Sequence, residues 1–166
     1  MEQNPQVKTT PALALLRSKG IAFTEHPFQY VEKGGTSHSS QVLGVSEHAV
    51  IKTLIFQTSE PGPCQHVVVL MHGDLNVDTK KLAQALGARR AFPCEPSKAC
   101  ELSGYLIGGT SPFGLKTQLP IFAEASIQNL GRLWINGGER GFLVSITPQE
   151  LKTAIPVQWI NVGKNR

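Results

Sequence analysis

The run Val67-Val68-Val69-Leu70 constrains this chain more than any other feature. Four consecutive β-prone apolar residues cannot alternate between a wet and a dry face, so the strand they form must be covered on both sides. A second β-rich segment, Ile51 to Gln57, precedes it, and Glu60-Pro61-Gly62-Pro63 between them reads as a turn. The remaining elements are short. Thr10-Pro11 opens a helix with a capping residue and a proline at the first helical position; Leu13 and Leu16 share its buried face, and Gly20 stops it. Ile21 to Glu25 reads as a strand, and a loop containing Gly34, Gly35, Ser37 and Ser39 leads into a helix ending near Leu43-Gly44.

Asp78 caps a predicted helix that runs to Leu86, with Gly87 as its stop, and Pro96 starts another that Gly104 ends. Leu133 to Ile135 and Phe142 to Ile146 are predicted strands joined by Gly137-Gly138 in a hairpin-type connection. Thr147-Pro148-Gln149-Glu150 is a capping box for a last helix, and a final strand lies near Val157 to Ile160. Strict βαβ alternation is absent. The expected fold is therefore α+β: one domain over residues 10–166, a mixed, curved β-sheet with short flanking helices, behind a flexible polar tail over residues 1–9.

Charge and cysteine usage narrow the class. A net charge of +4 and a pI near 9.1 permit a polyanionic partner without demonstrating one. No apolar run approaches the roughly 20 residues that span a bilayer, and the polar N-terminus lacks a secretory signal, so neither a membrane nor a secreted location is expected; the expected compartment is the cytoplasm. Cys64, Cys94 and Cys100 are too few for a disulfide framework. With His66 and His72 they are the available metal-type ligands, but none falls at a tight ligand spacing, so no metal and no cofactor is expected.

Three further features bear on chemistry. No Gly-x-Ser-x-Gly elbow or Walker-type loop is present, and Cys94 and Cys100 read as packing residues unless the fold brings a histidine to them. The segment Ser103 to Gly114 carries four glycines and a proline in twelve residues, around a Tyr105-Leu106-Ile107 that reads as strand-like. Such a loop either is a plain turn or presents successive amides to a carbonyl oxygen that becomes negative during reaction. Lys52 lies inside the apolar run Val50 to Phe56, on one strand face with Leu54 and Phe56. It either snorkels out from an edge strand or points into a cleft that takes an anion.

These segments resemble one family in order and spacing. Thr10-Pro11-Ala12, Leu43-Gly44, Lys52-Thr53-Leu54, Lys80-Lys81-Leu82-Ala83, Leu86-Gly87, Ser103 to Gly114 and Gly137-Gly138-Glu139-Arg140-Gly141 are similar to the motifs of the YbaK/EbsC group. That group comprises free-standing relatives of the editing domain inserted in bacterial prolyl-tRNA synthetases; the likeness is greatest to its Cys-tRNA(Pro) deacylase branch and spans nearly the whole chain. The resemblance implies a mixed α/β fold with a cleft for the 3′ end of an aminoacyl-tRNA. It makes Lys52 the essential lysine, Thr53 its pocket neighbour, and Gly108, Gly109, Thr110, Ser111 and Pro112 the loop whose amides hold the ester carbonyl. It also implies that the attacking group comes from the substrate rather than from a protein side chain.

Some positions depart from that branch. Phe28 stands where it has a tyrosine, with Tyr30 two residues on; Asn136 replaces a serine before Gly137 and Gly138; and Glu139 replaces a basic residue. Phe28, Tyr30, Asn136, Gly137 and Gly138 are thus expected beside the aminoacyl group, and the replacements bear on which amino acid is cleared: cysteine, or another small residue such as alanine or serine. Editing of this kind answers a physical need, because a synthetase pocket separates amino acids of similar size by only about 1–3 kcal/mol. Lys80, Lys81, Arg89 and Arg90 could form a basic patch for tRNA or could be a solvated helix face. A non-catalytic tRNA-binding module and a protein docking on prolyl-tRNA synthetase are the rival functions; neither DNA nor a membrane is an expected partner.

Overall fold

A computed structural model describes residues 8–59 and 65–166. Thr10 caps α1 (Pro11–Ser18) by accepting from the Leu13 amide, and Leu13 and Leu16 are fully buried beneath it. β1 (Thr24–Pro27) and α2 (Gly35–Leu43) follow, the latter ended by Gly44 at φ 68°. A 3-10 turn, Glu47–Ala49, leads into β2 (Val50–Ser59) and then β3 (His66–His72), which are antiparallel partners along most of their length. β4 (Leu75–Val77) precedes α3 (Thr79–Ala85), whose cap Asp78 accepts from the amides of Lys80 and Lys81.

β5 (Arg90–Pro93), α4 (Pro96–Ser103) and β6 (Ile121–Glu124) come next. A second 3-10 turn, Ala125–Asn129, precedes β7 (Leu133–Glu139) and β8 (Phe142–Ile146). The Thr147–Glu150 capping box opens α5 (Pro148–Ala154), followed by β9 (Gln158–Ile160) and β10 (Gly163–Asn165).

Among the described residues the main sheet runs β1-β8-β7-β2-β3-β6-β9, with β5 also on β2, while β10 and β4 form a separate ribbon. β2 is parallel to β7, and β6 is parallel to both β3 and β9; the other ladders are antiparallel, so the sheet is mixed as expected. β3 is buried on both faces, as its apolar run requires. Val68 and Leu70 face a core with Ile51, Ile55, Ile135, Val144 and the α1 leucines. Val67, Val69 and Met71 face a second core with Phe56, Val77, Leu82 and Phe122. Leu70→Ala would cost about 2–5 kcal/mol through lost contacts and a cavity.

Three local expectations change. The strand expected at Ile21–Glu25 forms at Thr24–Pro27. Tyr105-Leu106-Ile107 is not a strand: Tyr105 is buried with its hydroxyl donating to the Phe113 carbonyl, whereas Leu106 and Ile107 are exposed at 65% and 46%. Gly137 and Gly138 lie within β7 at a bulge, and Arg140-Gly141 makes the turn. The Glu60–Pro63 turn and residues 1–7 of the expected tail lie outside the described residues; Lys8 pairs with Glu139 at 2.6 Å.

Candidate active site

The residues expected at the site gather where the main sheet splits. β2 pairs with β7 only at Val50–Trp134 and Ile51–Ile135, and β5 takes up the same edge from Phe56 onward, with the Cys94 amide reaching the Ile55 carbonyl. Between them, Lys52, Thr53 and Leu54 have a strand partner on the β3 side alone. β7 is diverted by its bulge at Asn136–Glu139. Gly137 is required there because a Cβ would stand 2.6 Å from the Phe142 ring. On the β3 side the Gly73 amide reaches the Val50 carbonyl and the Thr58 amide the Gln65 carbonyl. Bonding alternates along an antiparallel ladder, so Thr53 turns its own N–H and C=O into the split. The Thr53 hydroxyl is buried and has no hydrogen-bond partner among the described residues.

Lys52 projects from the face it shares with Leu54 and Phe56, and its Nζ donates to the Leu75 carbonyl. No carboxylate lies within ion-pair distance of it among the described residues. An ammonium has three donors, so the group keeps capacity for an anion. Burial lowers its pKa, Arg166 adds to the effect, and Glu47 and Asp74 oppose it. This is a partly desolvated cation without a dedicated counter-ion, a state that favours an incoming phosphate or oxyanion.

The glycine loop is held from three sides. Tyr105 anchors its base through the Phe113 carbonyl, and burial pushes the Tyr105 phenol up to about 12, so it stays a donor. Asn136 Nδ2 donates to the Gly108 carbonyl at 3.0 Å, while Asn136 Oδ1 accepts from the amides of Gly138 and Glu139. Arg140 Nε donates to the Ile107 carbonyl at 2.8 Å, and its guanidinium lies 5.2 Å from the centre of the Tyr30 ring. The Gly109 amide closes the loop on the Leu106 carbonyl. The amides of Gly108, Thr110 and Ser111 have no acceptor among the described residues, and Ser111 is fully buried. The Thr110 and Ser111 amides are consecutive and unpaired, the arrangement that lets backbone N–H groups converge on an anion, and the Gly108 amide lies one paired residue before them. Pro112 has no N–H to contribute and is buried.

The two halves meet through Asn136. It and Lys52 each stand one residue beyond the last β2–β7 ladder pair, and Asn136 holds Gly108 directly. Tyr30 packs on Gly108, where a Cβ would meet its hydroxyl at 2.9 Å. Phe28 is tied by its amide to the Gly141 carbonyl, with its ring 6.0 Å from that of His38. Gly137 offers its carbonyl to the Thr10 hydroxyl, and Gly138, at φ 101°, packs on Tyr105.

Lys80 and Lys81 lie at the start of α3, on the side of β4. Arg89 and Arg90 lie at its other end, where Arg90 pairs with Ser59 at the far end of β2. His66 and His72 occupy opposite ends of β3; Cys94 is packed in a core, Cys100 is half-buried, and Cys64 lies outside the described residues.

Sequence spacing did not reveal a cluster beside Lys52. His48 Nδ1 is 2.8 Å from Asp74 Oδ1, and its ring stacks on that of His72 at 3.7 Å. His72 Nδ1 faces the His48 carbonyl and so carries the proton; burial lowers its pKa, and Nε2 is left to accept from Ser126. His48 and His72 come from a turn and a strand that only the β2–β3 register brings together, and no local motif signals the pair.

The aminoacyl-tRNA editing domain matches residues 34–154, well over half of the chain and both halves of the site. The chain belongs to this family. It is 26% identical over 152 residues to EbsC of Enterococcus faecalis, by its name a candidate Cys-tRNA(Pro)/Cys-tRNA(Cys) deacylase, covering 91% of each chain. It is 32% identical over 97 residues to a proline–tRNA ligase of Brachyspira hyodysenteriae, spanning 58% of this chain but 16% of that enzyme. A crystal structure described as a candidate trans-editing enzyme for prolyl-tRNA synthetase superposes with a TM-score of 0.81 at 21% identity, over 96% of this chain and all of the other, which shows the shared fold. The editing domain thus acts on aminoacyl-tRNA as a deacylase.

Proposed function

We propose that this editing domain clears Cys-tRNA(Pro) in trans, by cleavage of the aminoacyl ester in which the substrate supplies the attacking group. The observation that carries the reading is the pairing of the loop amides of Gly108, Thr110 and Ser111, which have no acceptor among the described residues, with a lysine that has no ion pair among those residues, across one split in the sheet. The ester carbonyl oxygen lies against these amides, where fixed N–H groups stabilise the charge that develops on it. Lys52 holds the phosphate or ribose of the terminal nucleotide, which sets the ester in place. For cysteine the substrate thiol attacks its own carbonyl carbon. A C–S bond forms, the bond from that carbon to the ribose oxygen breaks, and the thiol proton passes to that oxygen. For alanine or serine the ribose hydroxyl would instead activate water.

The test is a panel of Cys-, Ala-, Ser- and Pro-tRNA(Pro), scored for loss of each ester. Fastest loss from Cys-tRNA(Pro) is expected, with Pro-tRNA(Pro) spared. Faster loss from Ala-tRNA(Pro) would overturn the cysteine assignment, and no loss from any of them would overturn deacylation itself.

A further inference from the structure

The ribbon of β4 and β10 is built on the carbonyl that holds Lys52. Asn165 pairs with Leu75, Lys164 with Asn76 and Gly163 with Val77, and it is the Leu75 carbonyl that accepts from Lys52 Nζ. Lys164 is exposed on this ribbon. Asp78 follows β4 directly, and the exposed Lys80 and Lys81 follow Asp78. Two cations therefore follow β4 directly and a third lies on its partner strand β10, beside the carbonyl that holds the site lysine. No local motif in the sequence marks Lys164.

The acidic groups around this stretch are already engaged. Asp78 accepts from the amides of Lys80 and Lys81; those bonds, the Lys81 amide foremost, hold its carboxyl below the usual range, with the charges of Lys164 and Lys81 adding to the effect. Asp74 is held by His48. Glu47 takes the Thr36 hydroxyl and Arg166, which balances the Arg166 charge; Lys80, Lys81 and Lys164 have no ion pair among the described residues and outnumber the one carboxylate, Asp78, whose charge two of them feel. Arg89 and Arg90 stand elsewhere. Arg90 is opposite Ser59, seven residues along β2 from Lys52, or about 23 Å at roughly 3.3 Å per residue.

We propose that Lys80, Lys81 and Lys164 form the approach to Lys52 for the sugar-phosphate backbone of an RNA strand whose 3′ end enters the sheet split, and that Arg89 and Arg90 take no part. That the occupant is RNA rests on the deacylase reading; the position of the surface rests on the β4–β10 register and the engaged carboxylates. Each phosphate contact releases counterions, so affinity through this surface falls linearly in log–log form with salt.

The experiment measures binding of an uncharged hairpin RNA with a single-stranded 3′ end by fluorescence anisotropy across a salt series. The proteins are the wild type, the triple variant Lys80→Ser, Lys81→Ser, Lys164→Ser, and the double variant Arg89→Ser, Arg90→Ser. All five positions are exposed, so the fold should hold, and circular dichroism checks that it does. The triple variant should lose about 2 units of salt slope, from three contacts at roughly 0.7–0.9 each, and bind at least tenfold more weakly at low salt. The double variant should match the wild type. An unchanged slope in the triple variant, or a loss confined to the arginine variant, would overturn the proposal. Competition by poly-glutamate as effective as that by RNA would give the surface to an acidic protein and overturn it equally. No chemistry enters this measurement, so a wild-type protein that binds as described but deacylates nothing would count against the proposed function alone.

Discussion

The two walls of the split are held by different physics. The Lys52 wall consists of charge on a flexible stem, anchored at one carbonyl and surrounded by Glu47, Asp74, His48 and Arg166. The loop wall is made of backbone, fixed by Asn136, Arg140 and Tyr105, with glycines where a Cβ would meet Tyr30 or Glu139 and Arg140. A charge acts over several ångströms and tolerates small displacements, whereas amide donors act only within hydrogen-bond range and along the N–H direction. The lysine wall should therefore be sensitive to the identity of a group and the loop wall to its position.

The largest effect should come from removing the charge. Lys52→Met keeps most of the packed stem and is expected to cut deacylation by roughly 10²-fold or more, with melting temperature unchanged or raised because a desolvated cation is lost. Near wild-type turnover together with full stability would break the comparison from the lysine side.

Next is Gly108→Ala. At φ 89°, with Tyr30 Oη 2.9 Å from the added Cβ, the substitution strains the loop by about 1–3 kcal/mol. Deacylation should fall about 10- to 100-fold, mostly in kcat. Shortening the obstacle with Tyr30→Ala in the same chain should restore part of it, which separates displacement from loss of a contact. Absence of any rescue would mean that φ alone sets the loss.

A smaller effect is expected at Asn136. Asn136→Asp keeps the acceptor for Gly138 and Glu139 but places a carboxylate oxygen against the Gly108 carbonyl. About a tenfold fall in kcat with little change in KM would mark it as a positioning residue. A changed ranking of Cys-, Ala- and Ser-tRNA(Pro) would instead place its side chain against the amino acid.

The smallest effects concern groups between the walls. Thr53→Val removes a buried hydroxyl that has no partner among the described residues, so stability should hold or rise by about 1 kcal/mol; a drop in kcat/KM alone would show the hydroxyl pairing with substrate. His72 and His26 both have pKa values lowered first by burial, with Arg132 adding to the effect at His26. Below the unfolded value of about 6.5 the unfolded chain binds these protons first, so stability should be complete above that pH and decline as pH falls below it, by at most about 1.4 kcal/mol per pH unit for each group. Urea titrations of wild type, His72→Gln and His26→Gln at pH 5 and 7.5 would apportion the decline. A wild-type stability independent of pH over that interval would contradict it.

Local chemistry was legible along the chain. Caps at Thr10, Asp78 and Thr147 and left-handed stops at Gly44 and Gly104 each depend on a few consecutive residues, and the helices start and end where those residues stand. The doubly buried β3 follows from its composition in the same way. Lys52 and the glycine loop were visible too, because a cation in an apolar strand and dense glycine are anomalies that need no partner to be noticed. Tertiary structure alone decided what those anomalies face. The split exists because β7 pairs with β2 for two residues and then leaves it, and a ladder between distant segments is set by side-chain packing across the whole sheet. Other ladders decided the rest: β2–β3 stacked His48 on His72, β2–β5 set Arg90 opposite Ser59, and β4–β10 brought Lys164 opposite Asn76, just ahead of Asp78, Lys80 and Lys81. Local propensity acts over one or two turns of chain, whereas these arrangements are settled only when segments far apart in sequence compete for one edge.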